Sequence, residues 1–173
     1  MINMIQDEEY KEIVDCILSN DTFVEQMNSV KHHDSTRLNH LIKVSYDSYK
    51  LAKALKLDYV KVARAGLLHD YYTKSVHDQK GIIDKVRLYT IDHPKEAVEN
   101  AKKIMQLSEI EEDIIRSHMF PLDIKIPKYA ESWVVNMVDT VISTKEFGHK
   151  FSYQLAYATN VAFLFMLNVI RIG

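Results

Sequence analysis

Eight histidines stand against a single cysteine in this chain. The lone Cys16 excludes an internal disulfide framework and any cysteine-based zinc site. A metal bound here must be held by imidazoles and carboxylates. Six such side chains fall where an apolar helical face is expected. His40 lies between Leu38 and Leu41-Ile42, and His69-Asp70 follow Gly66-Leu67-Leu68. His93 precedes Pro94, His118 stands four residues after Ile114, and Asp139 interrupts Met137-Val138 and Thr140-Val141-Ile142. Taken singly, each has an ordinary reading: a hydrogen-bonded core histidine, an N-cap at His93, a solvent-facing acid. Taken together, they come from five successive helices or helix ends, and facing helices of a bundle build metal sites in this way. Four imidazoles with two carboxylates suit a borderline divalent metal (Fe, Mn, Zn, Co or Ni) better than Ca. Asp70 has two oxygens with which to bridge two ions.

The elements that must position these groups read as helices throughout. The chain has 173 residues, with only 4 Gly and 3 Pro, which disfavours a turn-rich sandwich or barrel. Its 47% hydrophobic and 27% charged residues are those of an ordinary globular domain. Asp7 caps a helix carrying Ile13, Val14, Ile17 and Leu18, and Asp21 caps a short one with Phe23 and Met27. Leu38, Leu41, Ile42, Tyr49 and Ala52 share one face of a helix from Thr36 to Lys56, and Asp58 opens the next. Residues 71–92 read as loop with a short helix. Pro94 then takes a first helical position, which puts His93 at that helix's N-terminus. Ser108-Glu109-Ile110-Glu111 is a capping box for a helix ending near His118, and Pro121 stops it. Trp133, Val134, Met137 and Val141 mark a helix over 127–145. The fold class is all-α, a helical bundle in one domain spanning 1–173, with its metal-binding core at about 30–145.

The net charge is −2, from 22 basic and 24 acidic residues that are interspersed. No basic stripe offers a footprint for a nucleic-acid polymer. Residues 1–10 lack a secretory h-region, and the expected location is cytoplasmic. An apolar helix is expected over about 151–171. It is close to a membrane span in length, but Ser152, Gln154, Thr159, Asn160 and Asn168 interrupt it. It reads as a buried helix or as the interface of a homodimer, not as a membrane span.

The run Leu67-Leu68-His69-Asp70, with His40 upstream and Asp139 downstream, resembles the HD-domain superfamily of metal-dependent phosphohydrolases. The added His93 and His118 resemble its dinuclear subset, and the segment from Ser117 to Leu122 is similar to that of small bacterial HD proteins. The resemblance implies that His40, His69, Asp70 and Asp139 hold one ion. Asp70 then bridges to a second ion on His93 and His118. It also implies a phosphohydrolase or phosphodiesterase acting on a nucleotide or similar small phosphoester. On this resemblance Asp70 is an expected catalytic residue. Arg37, three residues before His40, and Lys74 in the following loop are cationic groups for catalysis and phosphate binding, and His33 lines the substrate pocket. Two departures narrow the substrate. The Gly-Tyr-Pro signature of cyclic-dinucleotide phosphodiesterases is missing, and Thr73 stands where they place a lysine. Tyr71 to Lys74 also lacks the Glu-Asp pair of guanosine-tetraphosphate hydrolases. Two other readings share the ligand set: an HD-type di-iron oxygenase, and a non-catalytic nucleotide-binding or interaction domain. His77-Asp78 resembles a further His-Asp pair, His32 and His149 read as surface residues, and Tyr71 and Tyr72 read as packing residues.

Overall fold

A computed structural model describes residues 7–32, 35–73 and 81–147. The expected helix over 151–171, and with it the homodimer interface, lies outside the described residues. So do His33, Lys74, His77, Asp78 and His149. No helix among the described residues is long and apolar enough to cross a membrane.

The described chain is all-α apart from one two-residue antiparallel pair. Helix α1 runs Glu8–Leu18, α2 Asp21–Ser29, α3 Arg37–Ala54 and α4 Tyr59–Leu68. Then come α5 (Ile82–Arg87), a π-helical turn (Leu88–Asp92) and α6 (His93–Ile104). Helices α7 (Glu109–Ser117) and α8 (Ala130–Phe147) follow. The strand pair joins Lys31–His32 to Ser35–Thr36 between α2 and α3.

Local chemistry accounts for most starts. Asp7 accepts the Tyr10 amide, Asp58 the Lys61 amide and Thr36 the Asn39 amide. The expected capping box is present: Ser108 Oγ accepts from the Glu111 amide, and Glu111 accepts from the Ser108 amide. The cap of α2 is Asn20 rather than Asp21. Asn20 has the extended backbone a cap requires and accepts the Phe23 amide, while Asp21 places its charge in the first turn. Helix α8 begins at Ala130 and extends past Lys145 to Phe147.

The stretch before His93 departs from expectation. Residues 82–92 are helical and run directly into α6, so His93 sits inside a continuous helical rod rather than at a free N-terminus. Pro94 is the cause. It cannot donate to the carbonyl of Thr90 and its ring crowds that carbonyl, so the preceding turn widens. The His93 amide then bonds Leu88 O, five residues back. The expected short helix is α5; its continuity with α6 was hidden because Ile82, Ile83 and Val86 are exposed, leaving no apolar stripe to read.

Helix α3 is the centre of the bundle and packs mainly against α4 and α8. Leu41, Val44, Tyr49, Val62, Leu67, Ile114 and Val134 are buried in the shared core. Gly66 sets the α3–α4 approach: a Cβ there would lie 3.1 Å from Ser45 Cα. Ser45 uses that proximity, donating to Ala63 O at 2.6 Å and accepting from Tyr10 OH at 2.8 Å. Three helices are thus joined at the level of the core just before the chain reaches His69.

Candidate metal centre

Two helices deliver a histidine by the same local device. His69 is the C-cap of α4 and His118 the C-cap of α7, both with αR backbone. The last carbonyls of a helix have no intrahelical donor. The His69 ring supplies one, donating Nδ1–H to Gly66 O at 2.7 Å. His118 does the same to Ile115 O at 2.8 Å. His93 Nδ1 lies 3.2 Å from Leu88 O, the same carbonyl that accepts the His93 amide across the π turn. Carbonyls only accept, so these contacts assign the proton to Nδ1 in all three rings and leave Nε2 with its lone pair. His40 differs: its Nδ1 lies 3.1 Å from the Glu146 carboxylate, whose other oxygen accepts from Lys43 Nζ at 3.0 Å.

The four Nε2 atoms turn toward two carboxylates. His40 Nε2 is 3.1 Å and His69 Nε2 3.7 Å from Asp139 Oδ1. His93 Nε2 is 3.2 Å and His118 Nε2 3.5 Å from Asp70 Oδ1. The rings form a row: His40 to His69 is 5.6 Å between centroids, His69 to His118 5.0 Å, and His118 to His93 5.0 Å. All four are buried. His40, His69 and Asp139 form one group that could hold a metal ion, and His69, Asp70 and His118 form another. His93 belongs to neither group of three, yet it touches two members of the second. Family analogy put Asp70 in the shared position; the two groups share His69.

The donor set fits a cation. His93 Nε2 and His118 Nε2 are 3.0 Å apart. With both Nδ1 atoms protonated, this contact opposes two lone pairs in a buried site, an arrangement that needs a proton or a metal ion to satisfy it. Electrostatics point the same way. Burial alone would raise the Asp70 carboxyl, but His118 and His93 hold it well below the usual range. Asp139 is likewise driven down, against its burial, by His40 and His69. Burial favours a neutral His40, but Asp139 and then Glu146 outweigh it and push this ring up to about 10. Glu146, opposed by burial, is lowered to about 2 by His40 and Lys43. At His40 a proton holds a position that a divalent ion would take.

The remaining expected site residues are placed as follows. Arg37 is buried with its guanidinium 3.8 Å over the Tyr72 ring, and it donates to Tyr72 O at 2.6 Å. Tyr72 lies 4.8 Å from the His93 ring, so a stack of three side chains borders the centre. Arg37 Nε is buried without a hydrogen-bond partner among the described residues. Tyr71 packs edge-on against Phe23 and donates to Gln26, so both tyrosines serve packing.

Two residues escaped the sequence reading. Glu146 lies two helical turns after Asp139 on α8, and that i, i+7 spacing was the available signal. Asn136 lies three before Asp139, directly after Trp133-Val134-Val135, where a buried amide demands partners. It donates to His118 O at 2.6 Å and Phe120 O at 2.7 Å, fixing the turn that carries His118. Helix α8 is itself aligned by Asp113 of α7, which accepts from the Lys128 amide and Ser132 Oγ.

A helical bundle with histidine–aspartate groups of metal-ligand type at its centre defines the class. The HD domain family model matches residues 37–152, more than half of the chain, and the chain belongs to that family. HD domains form a metal-dependent phosphohydrolase superfamily. Comparison with curated proteins and with solved structures gives no match.

Proposed function

We propose that this chain is a metal-dependent phosphohydrolase that acts on a small phosphoester, a nucleotide or similar molecule, through a dinuclear centre. The observation that carries the reading is the row of four imidazoles. Each has Nδ1 tied to an acceptor and Nε2 turned toward Asp70 or Asp139. His40, His69 and Asp139 would hold one ion, and His93 and His118 a second. Asp70 has two oxygens and is suited to joining them, whereas His69 offers one nitrogen and serves one ion at a time. Divalent transition ions held there supply Lewis acidity to a phosphoryl oxygen and lower the pKa of water.

The chain's own groups do the rest. The buried rings and carbonyl contacts hold the donor atoms in place, which lowers the cost of organising the site during reaction. Arg37 is assigned to the substrate phosphate through its unpaired Nε, with its guanidinium plane fixed by Tyr72. Lys74 and His33 are assigned to the same substrate from their places in the sequence. A cytoplasmic location fits a nucleotide substrate.

The test is a phosphoester panel assayed with protein loaded anaerobically with Fe, or with Mn. Turnover is expected with either metal and is expected to fall to background in Asp70→Ala. No cleavage by fully loaded protein would overturn the reading. Activity strictly dependent on iron and O₂ would replace it with oxygenation.

A further inference from the structure

The four imidazoles differ in what stands behind them. Behind His69, His93 and His118 stand the neutral backbone carbonyls of Gly66, Leu88 and Ile115, respectively. Behind His40 stands a carboxylate, Glu146, and behind that an ammonium, Lys43. Glu146 belongs to the helix that carries Asp139, and Lys43 to the helix that carries His40. The pair therefore closes a loop of contacts: His40 to Asp139, one α8 ligand, on one side, and His40 to Glu146 on the other, with Lys43 returning to α3. Glu146 is half-buried, with its side chain only 14% exposed, so the contact works at a lower effective dielectric than a surface pair.

We propose that Glu146 is a positioning residue of the metal centre. By accepting the Nδ1 proton of His40 it fixes the ring's orientation and makes Nε2 a better donor. This makes the His40–His69–Asp139 half the tighter of the two ion sites. A carboxylate behind a ligating imidazole raises its basicity, and loss of such an outer partner characteristically weakens a metal site about 10–100-fold. Lys43 holds the second Glu146 oxygen and so keeps the first on His40. The inference rests on the metal-centre reading above.

The experiment titrates Mn or Zn into metal-free protein by calorimetry and follows the four histidine rings by ¹⁵N NMR. Wild type is expected to show two binding events of unequal affinity. Glu146→Ala is expected to weaken the tighter event about 10–100-fold and leave the weaker one within about threefold. Glu146→Gln keeps an acceptor for Nδ1–H but no charge, and is expected to lose less. In the NMR spectra the His40 signals are expected to move, while those of His93 and His118 stay. A purely structural role would disturb both events and all four rings, or neither. Two events unchanged in both variants would overturn the role of Glu146 and leave the metal centre standing. Wild type that binds no metal would overturn both.

Discussion

The two halves of the proposed metal centre orient their rings over very different distances in the chain. The His93–His118–Asp70 half is locally made: each ring is held by a carbonyl three or five residues away in sequence. The His40–Asp139 half is made at long range, since His40 and Glu146 are 106 residues apart. In the first half each ring takes its orientation from a carbonyl of its own helical segment, although Asp70, His93 and His118 come from different elements. The second needs α3 and α8 docked in register. A local device survives small shifts of the bundle, whereas a long-range contact reports them.

The largest effects come from removing one carboxylate at a time. Asp139→Ala is expected to lose one ion and retain the other, and Asp70→Ala to lose at least the ion on His93 and His118. Turnover should fall to background in both. Elemental analysis checks this, and full retention of both ions in either variant would break the division into halves.

Acidity separates the halves next. His40 carries a folded value near 10 against 6.5 unfolded, so its contribution is complete below about 6.5 and is lost as pH rises through 10. Glu146, lowered to about 2 from 4.5, contributes fully above 4.5 and is lost as pH falls through 2. Metal-free protein should therefore be most stable between about pH 4.5 and 6.5. It should lose on the order of a few kcal/mol toward pH 10, at about 1.4 kcal/mol per pKa unit. Excess metal should reverse the alkaline limb, because the ion displaces the proton on His40 Nε2. Calorimetric Tm against pH, with and without metal, makes the comparison; an alkaline loss that metal does not relieve would argue against the site.

The smallest effect sharpens the picture of the local half. Asn136→Ala leaves His118 O and Phe120 O without their donor, at about 1–3 kcal/mol. For a chain of this size that is a Tm drop of roughly 2–4 °C per kcal/mol. The ion on His93 and His118 should weaken more than the ion on His40, which calorimetric titration would show.

The legible parts of this molecule were those where periodicity and a misplaced polar group coincide. His69 and His118 stand at the ends of regular apolar faces, so their positions followed from spacing alone. His40 and Asp139 interrupt clear apolar stripes. The all-α class followed from the same periodicity. The short helix expected before His93 is present, but its run into His93 was illegible because most of its apolar residues are exposed and the π turn breaks the 3.6-residue period. Glu146 was missed for another reason. Near the end of α8 a lone acid looks like a solvated charge, and only the docked position of α3 gives it a partner. Residues that act through a long-range neighbour leave little trace in their local sequence.

Helix α8 supplies Asp139, Glu146 and Asn136, so it touches both halves at once. This has a consequence for the order in which the protein is made. A nascent chain that has emerged only as far as His118 already carries all four site imidazoles but a single one of the carboxylates. Nitrogen-rich donor sets favour softer ions, and added carboxylate oxygen moves the preference toward harder ones. In the centre proposed above, the preference between softer and harder ions would therefore be set when α8 docks, and a metal met before that moment would face a different donor set from the one the finished protein presents.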